Sequence, residues 1–152
     1  TYDEIIDAID AFDFTGYEEF VFCGYGEPTC ALEMLEKTAK YVKDKYHLPI
    51  RVNTNGLGNL YHGRDIVPEL AEYVDSVSIS LNAANAEEYN NVTRPSFDNA
   101  YEAMLDFAEE CNRMIKHTQL SIVDVLPEED IKTCQQIADE RGIHLKIRHF
   151  SN

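Results

Sequence analysis

The chain has 152 residues, the size of one domain, and 44% of them are hydrophobic, enough to build a sizeable core. Twenty-eight Asp and Glu against thirteen Lys and Arg give a formal net charge of -15, which repels phosphate backbones and anionic membrane surfaces, so nucleic acid and membranes are not expected partners. No apolar run approaches the roughly 18 to 20 residues that span a bilayer, and the expectation is a soluble, cytoplasmic protein.

The chain opens on Thr1 rather than Met and runs at once into a helical pattern, Ile5, Ile6, Ile9 and Phe12, which reads as a piece of a longer protein. A strand is expected over Glu19 to Cys23. It stops at Gly24-Tyr25-Gly26-Glu27-Pro28 and leads into an amphipathic helix, Ala31 to Lys45, where Leu32, Leu35, Ala39 and Val42 step by three and four. A second strand, Pro49 to Thr54, ends in Asn55-Gly56, and a shorter helix is expected around Ile66 to Tyr73. The third strand is Ser76 to Leu81. A helical stripe follows in Phe97, Tyr101, Met104, Ala108, Cys111 and Ile115, then a strand from Gln119 to Val125. Ile131, Cys134 and Ala138 mark the last helix, which Gly142 stops, and His144 to His149 form the last strand. The four cysteines, Cys23, Cys30, Cys111 and Cys134, fall on or beside these stripes, form no zinc or disulfide framework, and read as small buried hydrophobes.

Regular alternation of strand and helix argues for a parallel sheet with right-handed crossovers, either an open doubly wound sheet or a β/α barrel. The strands help to choose, because side chains alternate between faces. Arg51, Asn53 and Asn55 share one face, as do Ser78, Ser80 and Asn82, and so do His144, Lys146 and Arg148. Strands covered by helices on both faces read as continuous apolar runs; these carry one polar face each. A filled TIM barrel fits poorly for the same reason. The expected fold is α/β, an open or partial parallel β/α barrel with helices outside and a polar lumen, forming a single domain over residues 1–152.

Ligands bind at the carboxyl ends of the strands in such folds. Gly24 to Pro28 stand there on the first strand, Asn53-Thr54-Asn55-Gly56 on the second, Ser80-Leu81-Asn82 on the third, and Asp124 and Arg148 on the last two. Each has an ordinary reading as well: Gly24 and Gly26 suit a tight turn, Pro28 a helix start, Asn55-Gly56 a turn, and Lys146 and Arg148 a solvated edge. Together at one end of one sheet they suit a small zwitterionic ligand with hydroxyls. Glu27 and backbone carbonyls can accept from an ammonium group, amides and hydroxyls can pair with a ribose, and a lumenal cation can neutralise a carboxylate. S-adenosylmethionine has all of those groups.

With these residues placed, the chain resembles the radical S-adenosylmethionine superfamily, and in detail the TatD-associated radical SAM family, through "VFCGYGEPT", "PIRVNTNGLGNL", "VSISLNAANAEEY", "AMLDFAEE" and "CQQIADERGIHLKIR". "GYGEP" is similar to the family's Gly-Gly-Glu-Pro turn. That resemblance sets Gly26, Glu27 and Pro28 against the methionyl ammonium, and Gly24 and Tyr25 of the same turn are also expected to bind the cofactor. It makes the Asn53-Thr54-Asn55-Gly56 turn and the Ser80-Leu81-Asn82 strand end contacts to the methionyl carboxylate and the ribose, while Arg148, by its place at a strand end, is expected among the cofactor-binding residues. It implies S-adenosylmethionine as cofactor and, in the intact parent, a four-iron four-sulfur cluster and reductive cleavage to a 5′-deoxyadenosyl radical. The superfamily's CxxxCxxC cluster loop has no counterpart here; Cys23 and Cys30 are seven apart and Cys111 and Cys134 lie on distant helices. The expectation is therefore a remainder lacking the first strand and its cluster loop, inactive alone, with no metal ligands of its own. Without the missing neighbour, the strand Glu19 to Cys23 would be an edge open to self-association. Two other readings stand beside this one, a non-catalytic nucleotide or small-acid binding domain and an acidic interaction module with no ligand.

Overall fold

Among the described residues, each strand after the first pairs with the one before it in sequence. The computed structural model describes residues 1–23 and 27–149. Helix α1 (Tyr2–Asp10) is capped by the Thr1 hydroxyl, which accepts from the Glu4 amide, and precedes strand β1 (Phe20–Phe22). A 3₁₀ turn (Pro28–Ala31) leads into α2 (Leu32–Tyr46), which ends at His47 in the left-handed conformation, φ 56°. There follow β2 (Ile50–Thr54), α3 (Gly58–His62), α4 (Val67–Leu70), β3 (Ser76–Ser80), α5 (Ala86–Thr93), α6 (Ala100–Met114), β4 (His117–Val123), α7 (Glu128–Arg141) and β5 (His144–Arg148).

The five strands form one sheet in the order β1-β2-β3-β4-β5, all parallel. A doubly wound sheet reverses its strand order at a switch point; this one does not. Crossovers of one hand in an unreversed sheet put every helix on the same face, which is the arrangement of a β/α barrel left open. The partial-barrel expectation holds.

Strand alternation then sorts the side chains. Ile50 and Val52, Val77 and Ile79, Leu120 and Ile122, and Leu145 face the helices and are buried, against Leu35, Ala39 and Val42 of α2, Met104, Ala108 and Cys111 of α6, and Cys134 and Ala138 of α7. On the other face the register sets Arg51 beside Ser76 and His117, then Asn53 beside Ser78, Gln119 and His144, then Ser80 beside Ser121 and Lys146. A clamp on the outside holds α1 to α2: the Asp10 carboxylate accepts from Tyr46 Oη (2.6 Å), Tyr41 Oη (2.7 Å) and Lys45 Nζ (3.0 Å). Those three donors hold its carboxyl down at about 2, Tyr46 first.

Several boundaries differ from expectation. β4 begins at His117 and stops at Val123, because Asp124 to Leu126 turn, Leu126 N–H reaching back to Val123 O at 3.4 Å. The expected helix at Ile66 to Tyr73 is a single turn, α4, followed by a turn in which the Tyr73 and Val74 amides bond Leu70 O. Helices α3 and α5 were not read from the sequence. A signal for α5 exists: Asn85 is its cap, accepting from the Glu88 amide at 2.9 Å, the Asn-x-x-Glu pattern of a helix start. Cys111 and Cys134 are fully buried as expected, but Cys23 is exposed and Cys30 half-buried. Cys23 has the parity of Val21, away from the helices, beyond the end of an edge strand, so it packs under nothing.

Candidate functional site

Gly24, Tyr25 and Gly26 lie outside the described residues. The chain after them starts at Glu27, whose carboxylate gathers four donors. Its Oε2 accepts from the Thr29 amide (3.0 Å), the Thr29 hydroxyl (2.6 Å) and the Thr54 hydroxyl (2.6 Å), and its Oε1 accepts from the Asn55 amide (2.7 Å). The Thr54 hydroxyl accepts from Gly56 N–H at 3.1 Å, and Asn55 Oδ1 accepts from Leu57 N–H at 2.9 Å. The knot follows from strand parity. Thr54 shares the helix-facing side with Ile50 and Val52 and is 4% exposed, so its hydroxyl needs a buried acceptor, and Glu27 is that acceptor. Pro28 opens the 3₁₀ turn, where its missing N–H removes no bond.

Two glycines let the elements close around the knot. Gly56 has φ +78°, and a Cβ there would stand 2.9 Å from Ile79 Cγ2 and from Met104 Cγ. A Cβ on Gly58 would stand 2.6 Å from Ile66 Cδ1 and 2.9 Å from Thr29 Oγ1. His62 Nε2 meets Thr29 O at 2.7 Å from the other side.

The remaining residues singled out in the sequence divide among separate cavities. Asn55 and Asn82 border a pocket of about 250 Å³ at the strand ends, together with Cys30, Tyr61 and Arg94; Asn82 has φ 67°. Asn53, Ser80 and Arg148 line a recess of about 140 Å³ on the polar face of the sheet. Asn53 Oδ1 is buried there without a hydrogen-bond partner. Glu27 and Pro28 border an apolar groove of about 490 Å³ running between β1, α1 and α2. Thr54 lines none of the three, being turned into the knot. Asp124 Oδ2 lies 2.9 Å from His149 Nδ1, the carboxylate oxygen being the acceptor of that pair. Sequence reasoning missed Thr29 in the knot and left Arg51, Gln119, Ser121 and Lys146 out of the site, although strand alternation places all four on the same face as Asn53.

The thiols do not gather. Burial pushes the Cys134 thiol up to about 11 and the Cys111 thiol higher still, and burial with the Glu27 charge raises Cys30. Such thiols stay protonated, whereas a metal ligand is a thiolate. Among the described residues no three His, Cys, Asp or Glu side chains stand together as a metal site. What the polar face does offer is a graded set of acceptors, hydroxyls and cations, suited to a small polar molecule lying across the strand ends.

Comparison with known proteins bears on what that molecule is. The family model described as the radical SAM superfamily matches residues 1–140. A domain of pyruvate-formate lyase-activating enzyme from Bacteroides vulgatus is similar in structure, with a TM-score of 0.59 and 16% identity, over 85% of this chain and 98% of that one. Streptococcus suis SuiB, solved bound to S-adenosylmethionine, gives a TM-score of 0.64 at 15% identity; the match spans 99% of this chain but only 33% of SuiB. Among curated proteins there is no match.

Proposed function

The chain belongs to the radical SAM superfamily, and from that premise we propose that it is the S-adenosylmethionine-binding part of a radical SAM iron-sulfur enzyme of the TatD-associated type. The observation that carries this reading is the buried, unpartnered Asn53 Oδ1 in the recess on the polar face of the sheet, which it lines together with Ser80. A buried acceptor without a partner is expensive unless a ligand supplies the donor, and the hydroxyls and ammonium of S-adenosylmethionine are donors. SuiB, of similar fold, is bound to that molecule, which supports the same class of ligand here.

The iron-sulfur cluster does not fit this set of residues, because the thiols are scattered and the buried ones are held protonated. Its ligands therefore belong to a segment other than these 152 residues, and the radical chemistry to the intact parent. The four unpaired cysteines support a reducing, cytoplasmic setting. Asn53 and Asn82 would hold and orient the cofactor. Glu27, its carboxylate already carrying four internal hydrogen bonds, would fix the turn that frames it.

Calorimetric titration with S-adenosylmethionine tests the proposal. Saturable binding is expected, and Asn53→Ala should weaken it by about tenfold, the worth of one hydrogen bond of about 1.4 kcal/mol. No binding by the folded wild type, or equal binding by the variant, would count against it.

A further inference from the structure

We infer that the 140 Å³ recess on the polar face of the sheet receives an oxyanion, the carboxylate or phosphate group of the molecule on which the enzyme acts. The inference rests on the reading of the cofactor site given above and names the substrate class for the same lumen. The recess is too small for a whole ligand of cofactor size, since pockets for such ligands run from about 300 to 1,000 Å³, so it holds one functional group beneath whatever lies at the strand ends.

Its lining reverses the charge of the chain. Acidic residues outnumber basic ones twenty-eight to thirteen, yet the recess is walled by three cations, Arg51, Lys146 and Arg148, with Asn53, Gln119 and three serines, and by no carboxylate or apolar side chain. Strand register brings these groups together from β2, β3, β4 and β5, and every one of them is on the face away from the helices. Among the described residues only Glu19 pairs with any of the three cations, 3.4 Å from Arg51 at the edge of the sheet. Arg51 Nε remains buried without an acceptor. The Ser78 hydroxyl oxygen accepts from Gln119 Nε2 at 3.0 Å, so its own hydrogen is left to donate elsewhere. Lys146 and Arg148, which pair with no carboxylate among the described residues, stand beside the unused Arg51 Nε hydrogen and a serine donor, and such a set is the complement of an oxyanion. A cationic group would meet repulsion from all three.

Amide chemical-shift titration of the whole chain tests this, with inorganic phosphate in one series and succinate in the other, ionic strength being held constant with sodium chloride. Saturable shifts of the Ser78, Ser80 and Ser121 amides are expected with at least one of the two, and which one responds separates the phosphate source from the carboxylate source. Lys146→Met and Arg51→Met should each weaken that response about tenfold or more, while Lys37→Met, an exposed helix lysine paired with Glu33, should not. Lys146 is exposed on the strand, so its variant keeps the test valid if Arg51→Met does not fold. Shifts that fail to saturate with both anions, or that persist in Lys146→Met, overturn the inference. Parallel titrations with S-adenosylmethionine separate the two readings. Cofactor binding without an anion response sinks the recess alone. An anion response in a chain that does not bind the cofactor overturns the assignment of the recess to a substrate of this chemistry.

Discussion

Glu27, expected from the sequence to contact the cofactor, is also a joint in the fold. Its carboxylate joins the start of the 3₁₀ turn to the end of β2 through Thr29, Thr54 and Asn55. Glu27→Ala should therefore lower stability by about 2 to 3 kcal/mol, since part-buried donors lose a charged acceptor. Glu33→Ala, which removes only an exposed i,i+4 pair with Lys37, should stay within about 0.5 kcal/mol. Urea unfolding midpoints of the two variants decide it, and equal midpoints would mean that the knot is not what holds the turn. The sequence contained half of this. Thr54 has the parity of Ile50 and Val52, which already directs it away from the polar face, but its acceptor lies 27 residues earlier in the chain, and no local pattern announces a bond of that span.

At the scale of elements, legibility followed the length of the periodic pattern. The stripes of α2, α6 and α7 extend over 14 or 15 residues and were readable, whereas α3 and α4, with five and four residues, take their shape from neighbours rather than from a repeat of their own. Their attachment to α6 carries a titration. Burial, a hydrogen bond to Asp65 and the Asp65 charge push the Glu110 carboxyl from its ordinary 4.5 up to about 7, with Arg113 and Asn59 opposing, while the same hydrogen bond lowers Asp65. Because the folded form of Glu110 holds its proton more tightly than the unfolded form, its contribution is complete below the unfolded value and is lost as pH rises through about 7. The melting temperature of the wild type should fall between about pH 5 and about pH 8. Glu110→Gln, which keeps a donor and cannot ionise, should flatten that fall. An unchanged slope in the variant would place the titration elsewhere.

On the scale of the molecule, the two edges of the sheet differ. β5 presents His144, Lys146 and Arg148, charges of the kind that blunt an edge. β1 presents Phe20-Val21-Phe22, pairs with β2 alone among the described residues, and flanks the 490 Å³ apolar groove lined by Ile5, Ile9, Met34 and Leu35. Helix α1, clamped to α2 through Asp10, walls that groove without pairing the strand. The net charge of -15 opposes association, but over no more than a Debye length of about 8 Å in physiological salt. Concentration-dependent self-association in sedimentation is expected, and Val21→Lys should suppress it. A wild type that stays monomeric throughout the series would show that the groove and edge attract no second copy.

The unreversed strand order has a bearing on how the chain reaches its fold. Each described strand after β1 is hydrogen-bonded to the one made just before it, so the sheet can lengthen by one βα unit at a time, and none of those strands must wait for a partner from later in the chain. The loops closed at each addition are of similar, modest length, and the entropy of closing a loop rises only slowly with its length. Growth therefore meets no single large topological barrier of the kind that slows sheets with distant pairings. A nascent chain could lay down β1, β2 and β3 in order on one face of a growing layer of helices, with Lys146 and Arg148 joining Arg51 on the polar face only when β5 arrives.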